Sequence, residues 1–340
     1  MKKKFQWWIG AVPVVIGLAI SCASTKPAAL PAYRPVWPPA PDEPRVEFVK
    51  TISAPADIGQ TPSFLHRVGN WITGDNDASR NLQKPFGLAI DESGNLCVTD
   101  TGNGSVCYLD LGRKQWRRWN AAGKIHFKAP VAVAHRQGTF YVADSELGRV
   151  LAFGDNGKLL FQVADPLKRP AGLTIAGDNL VVVDSQLHSV FVFDLQGKLR
   201  SQFGKRGTGP GEFNFPTHIA ADGRGHLLVT DSLNSRVEIF NTDGTFVSSI
   251  GSSGDTSGHF GRPKGVATDP FGHIYIADAV FDNIQIFNAS GQLLLNVGDS
   301  GTRAGQFGLP NGIAISADNQ VYIADCYNHR IQVLKYVGAQ

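Results

Sequence analysis

The sequence predicts an all-β fold: a six-bladed β-propeller with four-stranded antiparallel blades, its ring closed by an N-terminal strand and carrying one short helical insertion. Three observations lead there. Six segments open on Pro85, Pro130, Pro170, Pro216, Pro263 and Pro310, at spacings of 45, 40, 46, 47 and 47 residues. Each passes through an apolar stretch and a turn into a second stretch that ends in aspartate (LCVTD, FYVAD, LVVVD, LLVTD, IYIAD, VYIAD). A third, alternating stretch follows (VCYL, VLAF, VFVF, VEIF, IQIF, IQVL), then a weaker fourth after a Gly turn, as in Gly244 to Ile250 and Gly291 to Val297. Short β-branched runs between Gly, Asp and Asn turns read as strands. Four strands per unit, repeated six times, describe a radial array in which each sheet covers its neighbour.

Taken in order, residues 1–21 are an address. Lys2, Lys3 and Lys4 precede fourteen mostly apolar residues, Trp7 to Ile20. A bilayer span needs ~20 apolar residues, so this run suits a secretory signal better than a permanent anchor. Leu18-Ala19-Ile20-Ser21-Cys22 resembles a bacterial lipoprotein signal, in which the cysteine becomes the acylated first residue. The resemblance makes Cys22 the lipidation site and the cell envelope the location, at the periplasmic face or surface of the outer membrane. Such signals usually carry Leu three places before the cysteine, where this one has Ala19, so an ordinary cleaved signal stays open. Ala23, in place of Asp, favours the outer membrane in the enteric sorting rule. Residues 22–44 read as a Pro-rich tether with seven prolines. As polyproline II at ~3.1 Å per residue it reaches up to ~70 Å from a membrane.

Residues 45–340 form the propeller. The sixth repeat stops after its third stretch, so Arg45 to Ile52, which mimics the fourth strands of other units, is expected on the outside of the last blade (closing strand 45–53). Pairing there removes an open seam of unsatisfied backbone groups. Residues 54–84 are an insertion. Within it Phe64, Leu65, Val68, Trp71 and Ile72 fall at helical spacing, with Pro62 in the first turn and Gly74 at the end. The expectation is a helix packed on one face of the disc, or a docking element or channel plug.

Two of the repeats carry a recognisable pattern. Phe213-Asn-Phe-Pro216-Thr-His-Ile-Ala with Leu228-Val-Thr-Asp231-Ser-Leu-Asn234-Ser-Arg236, and Phe307-Gly-Leu-Pro310-Asn-Gly with Asp325-Cys-Tyr-Asn328-His-Arg330, resemble NHL repeats. The resemblance covers roughly residues 80–340 and implies the propeller fold. It says little about activity: related propellers include lyases that hold metal on several histidines, and that motif has no counterpart here.

Composition narrows the classes further. There are 32 Lys+Arg against 29 Asp+Glu, and the three N-terminal lysines account for the difference. A mature chain near zero net charge lacks the electrostatic pull of a nucleic-acid binder. Met1 is the single methionine, and no C-x-x-C-H occurs, so thioether ligation and covalent haem are excluded for the mature chain. No H-x-x-x-H or C-x-x-C pair marks zinc, and no G-x-S-x-G marks a nucleophile elbow.

The recurring aspartates, Asp100, Asp144, Asp184, Asp231, Asp278 and Asp325, are expected to be structural. A short carboxylate ending a strand accepts backbone N–H groups of the following turn, and a catalytic site needs dissimilar groups instead. The Gly-rich stretches 204–211, 251–258 and 298–305 are crossovers between blades, since a phosphate loop occurs once and carries Lys-Ser/Thr after its last Gly. Function is sought where the repeat breaks. The second residue after Pro is small in five units and His218 in the fourth. The residue directly after Pro gives Phe86, Val131, Ala171, Thr217, Lys264 and Asn311, half apolar and half polar. Thr217, His218, Lys264 and Asn311 are therefore the candidate channel residues, lining a ligand pocket or a solvated rim. Cys97 and Cys107 flank the first blade's second turn and form a candidate disulfide, permitted by export but geometrically demanding. Trp116-Arg117-Arg118-Trp119 reads as an amphipathic edge strand or a sugar- or partner-stacking surface.

These readings lead to a monomeric, lipid-tethered, non-catalytic scaffold that binds an envelope protein or a small ligand, without nucleic acid and without a cofactor. Its binding face is expected to be the one carrying the Gly loops and residues 54–84. The alternative is a lyase or lactonase with Ca or Zn in the channel and His218 as ligand or acid/base.

Overall fold

The structure is a computed structural model and describes residues 34–60 and 80–338. Cys22 and the predicted helix lie outside the described residues. Six antiparallel sheets form a six-bladed propeller. In blade 4, Pro216–Ala221 is innermost, followed outward by His226–Asp231, Arg236–Asn241 and Phe246–Ile250. The innermost strands of the other blades are Pro85–Ile90, Pro130–Arg136, Pro170–Ala176, Pro263–Thr268 and Pro310–Ile315.

Alternation along each strand explains why blades stack. Successive side chains point to opposite faces, and both faces of a blade meet a neighbour. Six apolar clusters fill the six gaps between neighbouring blades. The second strands, such as Leu96–Asp100 and Ile274–Asp278, are therefore buried along their whole length. That is why they read as continuous apolar runs and not as half-solvated strands.

The same alternation corrects the disulfide. Cys97 lies opposite Tyr108, and Cys107 opposite Val98. The cysteines are one register step apart, so their side chains leave opposite faces of blade 1. Cys97 packs with Val106, Phe127 and Phe140 toward blade 2, and Cys107 with Ile52, Val98 and Leu109 toward blade 6. Both thiols are free and buried, and burial raises the pKa of each.

Val46–Ile52 pairs antiparallel with Arg330–Tyr336, from Val46 opposite Tyr336 to Ile52 opposite Ile331, on the outside of the last blade. One feature differs from the expected tether. Val36–Trp37 adds a fifth strand to that blade, with Trp37 opposite Val46. Trp37 packs against the core between blades 5 and 6, and the Arg45 guanidinium donates to the Leu294 carbonyl at 2.9 Å. An indole able to bury against the blade edge holds this part of the Pro-rich stretch on the fold.

The described ends of the insertion seat against the outer edge of blade 1. A 3-10 turn spans Pro55–Ile58. Ile58 and Leu82 enter the core between blades 6 and 1, and the Trp116 amide donates to the Gln60 side chain at 2.7 Å. Trp116 and Trp119 pack inward on either side of the outer strand Gln115–Trp119. The Arg117 guanidinium lies 4.7 Å from the Tyr108 ring centre. The tryptophans thus serve the edge strand and offer no paired stacking surface.

Candidate functional site

The innermost strands begin at one face of the disc, and the blade-to-blade crossovers end there. At that face opens a cavity of about 340 Å³, lined among others by Phe86, Val131, Ala171, Thr217, His218 and Lys264. Below it the channel narrows to a void of about 40 Å³, room for roughly one water. The waist is backbone. A Cβ on Gly265 would lie 2.2 Å from the Asn311 carbonyl, and one on Gly312 would lie 2.4 Å from the Phe86 carbonyl. Neighbouring innermost strands touch here, and only glycine allows the approach. The mouth is therefore a cup with a floor of glycine backbone and one imidazole.

That imidazole is His218. Its ring stacks with Phe86 from the opposite side of the ring of blades, at 6.2 Å between centroids and 21° between planes. Both of its nitrogens are covered, and the one polar side chain acting on them as a hydrogen-bond partner is Asn311, without full hydrogen-bond geometry. Burial, helped by the Lys264 ammonium, brings its pKa down to about 3, with the Asn311 amide opposing. His218 is thus a neutral imidazole at physiological pH. Lys264 is brought down to about 8 by burial and then by Arg262, against the pull of Asp278 and Cys326. Asn311 is buried, and its Oδ1 and the Thr217 hydroxyl also lack partners. The structure thus brings together all four candidate channel residues. Thr217, His218 and Lys264 line the cavity, and Asn311 lies beside His218.

The rim above was not picked out in the sequence. The residue before each Pro gives Lys84, Ala129, Arg169, Phe215, Arg262 and Leu309, so cations on blades 1, 3 and 5 alternate with apolar residues on blades 2, 4 and 6. The signal lay in the same alignment, one column to the left. The recurring aspartates set this ring. Asp100, Asp184 and Asp278 are fully buried and accept the backbone N–H of Lys84 (2.8 Å), Arg169 (2.8 Å) and Arg262 (3.1 Å). In blades 4 and 6 the carboxylate takes the preceding amide instead, Asn214 by Asp231 at 2.6 Å and Gly308 by Asp325 at 2.7 Å. There the rim amides of Phe215 and Leu309 pass to His188 Nδ1 and Asp282 Oδ1. Both rim residues adopt left-handed backbone (φ 53° and 49°). Their side chains are exposed, as is Leu233 beside the cavity. Asp144 holds Lys128 and Ala129 in the same way. Each aspartate thus ties a crossover to a strand end.

Arginines reinforce the crossovers where they occur. Arg236 Nε donates to Asp231 (3.2 Å), and its other nitrogens donate to the carbonyls of Thr208, Gly209 and Glu212. Arg330 does the same with Asp325, Thr302, Arg303 and Gln306. The Gly stretches are accordingly fastened loops, and Gly204 and Gly251 (both φ 83°) cover the buried rings of Phe213 and Phe260.

The opposite mouth differs in chemistry. It is lined by Asp91, Glu92, His135 and Arg136 among apolar strand ends. The turns on that side use acid–histidine pairs, His226 Nδ1 with Asp222 at 2.7 Å and His273 Nδ1 with Asp269 at 2.8 Å.

A Ca or Zn ion in the channel was the alternative expectation. Such ions need several oxygen, imidazole or thiolate donors on one point. Among the described residues no group of three His, Cys, Asp or Glu is placed to hold one, and His218 faces an ammonium. The residues of the cup do not fit a divalent cation.

The chain is thus a six-bladed β-propeller with a closed, cup-shaped channel mouth. The family model for the NHL repeat matches residues 307–334, and a model described as 6-bladed beta-propeller matches residues 162–226. Among solved structures, a streptogramin B lyase aligns at TM-score 0.56 and 13% identity, over 75% of this chain and 94% of that one. A protein of unknown function from Bacteroides thetaiotaomicron aligns at 0.59 and 15%, over 77% and 71%. The hydrazine synthase of Kuenenia stuttgartiensis aligns at 0.54 and 14%, over 75% and 96%. At these identities the likeness is one of fold.

Proposed function

We propose that this chain is a non-catalytic binding module that takes a small ligand into the channel mouth, held in the cell envelope by lipid on Cys22. The observation that carries the reading is one dead-end cavity on whose wall Thr217, His218 and Lys264 stand with Arg169 and Arg262, and no carboxylate. Two features argue against turnover. The imidazole stays neutral with no carboxylate to orient it, and the cup does not fit the metal that a lyase or lactonase reading needs. The tethered segment and the broad crossover face suit presentation of a bound ligand to an envelope protein.

Native mass spectrometry of the chain released from its own envelope tests this. A bound small-molecule adduct is expected on the wild type and is expected to vanish in a Thr217→Val/Lys264→Met double variant that keeps the wild-type melting profile. Opening of a lactone or streptogramin ring that depends on added Zn²⁺ or Ca²⁺ and is abolished by His218→Ala would instead establish the lyase reading.

A further inference from the structure

We propose that the ligand of this mouth is a small organic anion, a carboxylate carried on a flat or branched apolar body. This rests on the reading above and goes further by naming the ligand's chemistry. The first observation is charge. Three cations line the cavity, Arg169, Arg262 and Lys264, and no carboxylate does. Lys84 stands in the same rim ring. None of these four side chains makes a hydrogen bond or ion pair with a described residue. Elsewhere on this near-neutral chain basic side chains are commonly paired, as Arg236 with Asp231 and Glu238, Arg330 with Asp325, and Lys205 with Glu212. A ring of cations without ion-pair partners among the described residues stands over a half-buried ammonium, while the carboxylates beneath it, such as Asp278, are buried and bonded to crossover amides.

The second observation is the division of the wall. Blades 1 to 3 present Phe86, Val131 and Ala171, and the rim adds Phe215 and Leu233. Blades 4 and 5 present Thr217 and Lys264, with the neutral His218 below. The Lys264 ammonium and the Arg169 and Arg262 guanidinium groups are donors for carboxylate oxygens. The opposite wall is a surface for a ring or branched chain, continuous with the Phe86–His218 stack. At about 340 Å³ the cavity is at the small end of ligand sites. Its floor lets nothing of that size pass through.

The third observation is the contrast between mouths. The far opening carries Asp91 and Glu92 beside His135 and Arg136. An anion thus meets favourable charge at one face alone, the face that carries the crossovers.

The test is calorimetric titration of the folded mature chain with phenylacetate, phenylacetamide and inorganic phosphate at pH 6.5 and 9.5. Phenylacetate is expected to bind one to one and at least tenfold more tightly than either other probe. The groups facing Lys264 are Arg262, Asp278, His218 and Cys326; Lys264 near 8 falls inside this window, while His218 near 3 and Cys326 near 12 fall outside it. Loss of the Lys264 proton should weaken phenylacetate roughly 30-fold between the two pH values by proton linkage. Lys264→Met should remove most of that pH dependence. Arg262→Gln, at an exposed position, should weaken binding severalfold at pH 6.5 and move the midpoint of the pH dependence upward, since Arg262 holds the Lys264 pKa down. Equal binding of phenylacetamide would overturn the anionic ligand and leave the pocket reading standing. Equal binding of phosphate would overturn the apolar body. No binding of phenylacetate at millimolar concentration would overturn the inference outright, with the adduct experiment still judging the pocket.

Discussion

The Phe86 ring and the His218 imidazole face each other almost in parallel across the channel mouth, 21° between planes and 6.2 Å between centroids, although 132 positions separate them in the chain. The pair forms the bottom of the cup. Phe86 belongs to the apolar half of the wall, and His218 stands where the other innermost strands carry Gly or Ala.

His218 should titrate far below an ordinary histidine. Its folded pKa, about 3, lies under the unfolded value of about 6.5. Below 3 both states hold the proton, and between 3 and 6.5 only the unfolded chain does. Stability from this residue is therefore present above about pH 6.5 and is lost as pH falls toward 3. Replacing it with Phe should flatten that acid limb in melting curves. NMR of the imidazole should show the neutral ring from pH 5 to 8, and a midpoint above 6 would contradict the burial described.

Glu238 should behave in the opposite sense. It is fully buried, and burial raises it to about 7 despite Arg236 at 3.0 Å. The equivalent residues of blades 5 and 6 are Gln285 and Gln332, whose amides donate to the carbonyls of His259 and Gln306. The Oε2 of Glu238 has no partner, and a glutamine there would donate to the Glu212 carbonyl. With the folded pKa above the unfolded one, the stability contribution is intact below about 4.5 and is lost as pH rises through 7. Glu238→Gln should thus raise stability by about 1–3 kcal/mol at pH 8 and change little at pH 4. An unchanged melting temperature at pH 8 would contradict the assignment.

Truncation should separate the closing strand from the segment before it. Starting the chain at residue 45 removes the short Val36–Trp37 strand and should lower the melting temperature modestly. Starting it at residue 54 removes Val46–Ile52 and opens the last blade, which should abolish cooperative melting. The point variant Ile52→Ala, at a fully buried position, should cost about 2–5 kcal/mol in denaturant titrations.

Asp325 and Asp231 should be intolerant of alanine. Each is fully buried with an arginine, Arg330 at 2.7 Å and Arg236 at 3.2 Å. Removing one partner of a buried pair costs about 3–5 kcal/mol. The loss should appear as faster amide exchange in the 298–305 and 204–211 crossovers, without change in the other blades. Uniform acceleration would mean the aspartates serve the whole ring and not their own crossover.

Much of this was legible because the information is local and repeated. The Pro-to-Asp spacing marks each blade, and the residues after Pro point to the channel in every unit, so the break at His218 stood out. The rim cations escaped notice because Lys84, Arg169 and Arg262 look like ordinary surface charges one by one; only the ring makes them neighbours. Residues 34–44 read as tether because prolines dominate their composition, while one indole, Trp37, decides their place.

By itself the sequence determined the number of blades, the strand that closes them, the buried aspartates and the polar half of the cup. These follow from hydrophobic alternation and turn chemistry within some forty residues at a time. The tertiary structure alone decided that Cys97 and Cys107 face different neighbours, that Phe86 meets His218, and that four unpaired cations stand around one opening. Those depend on strand register and on ring closure, and both are settled by contacts between distant segments that no local pattern encodes.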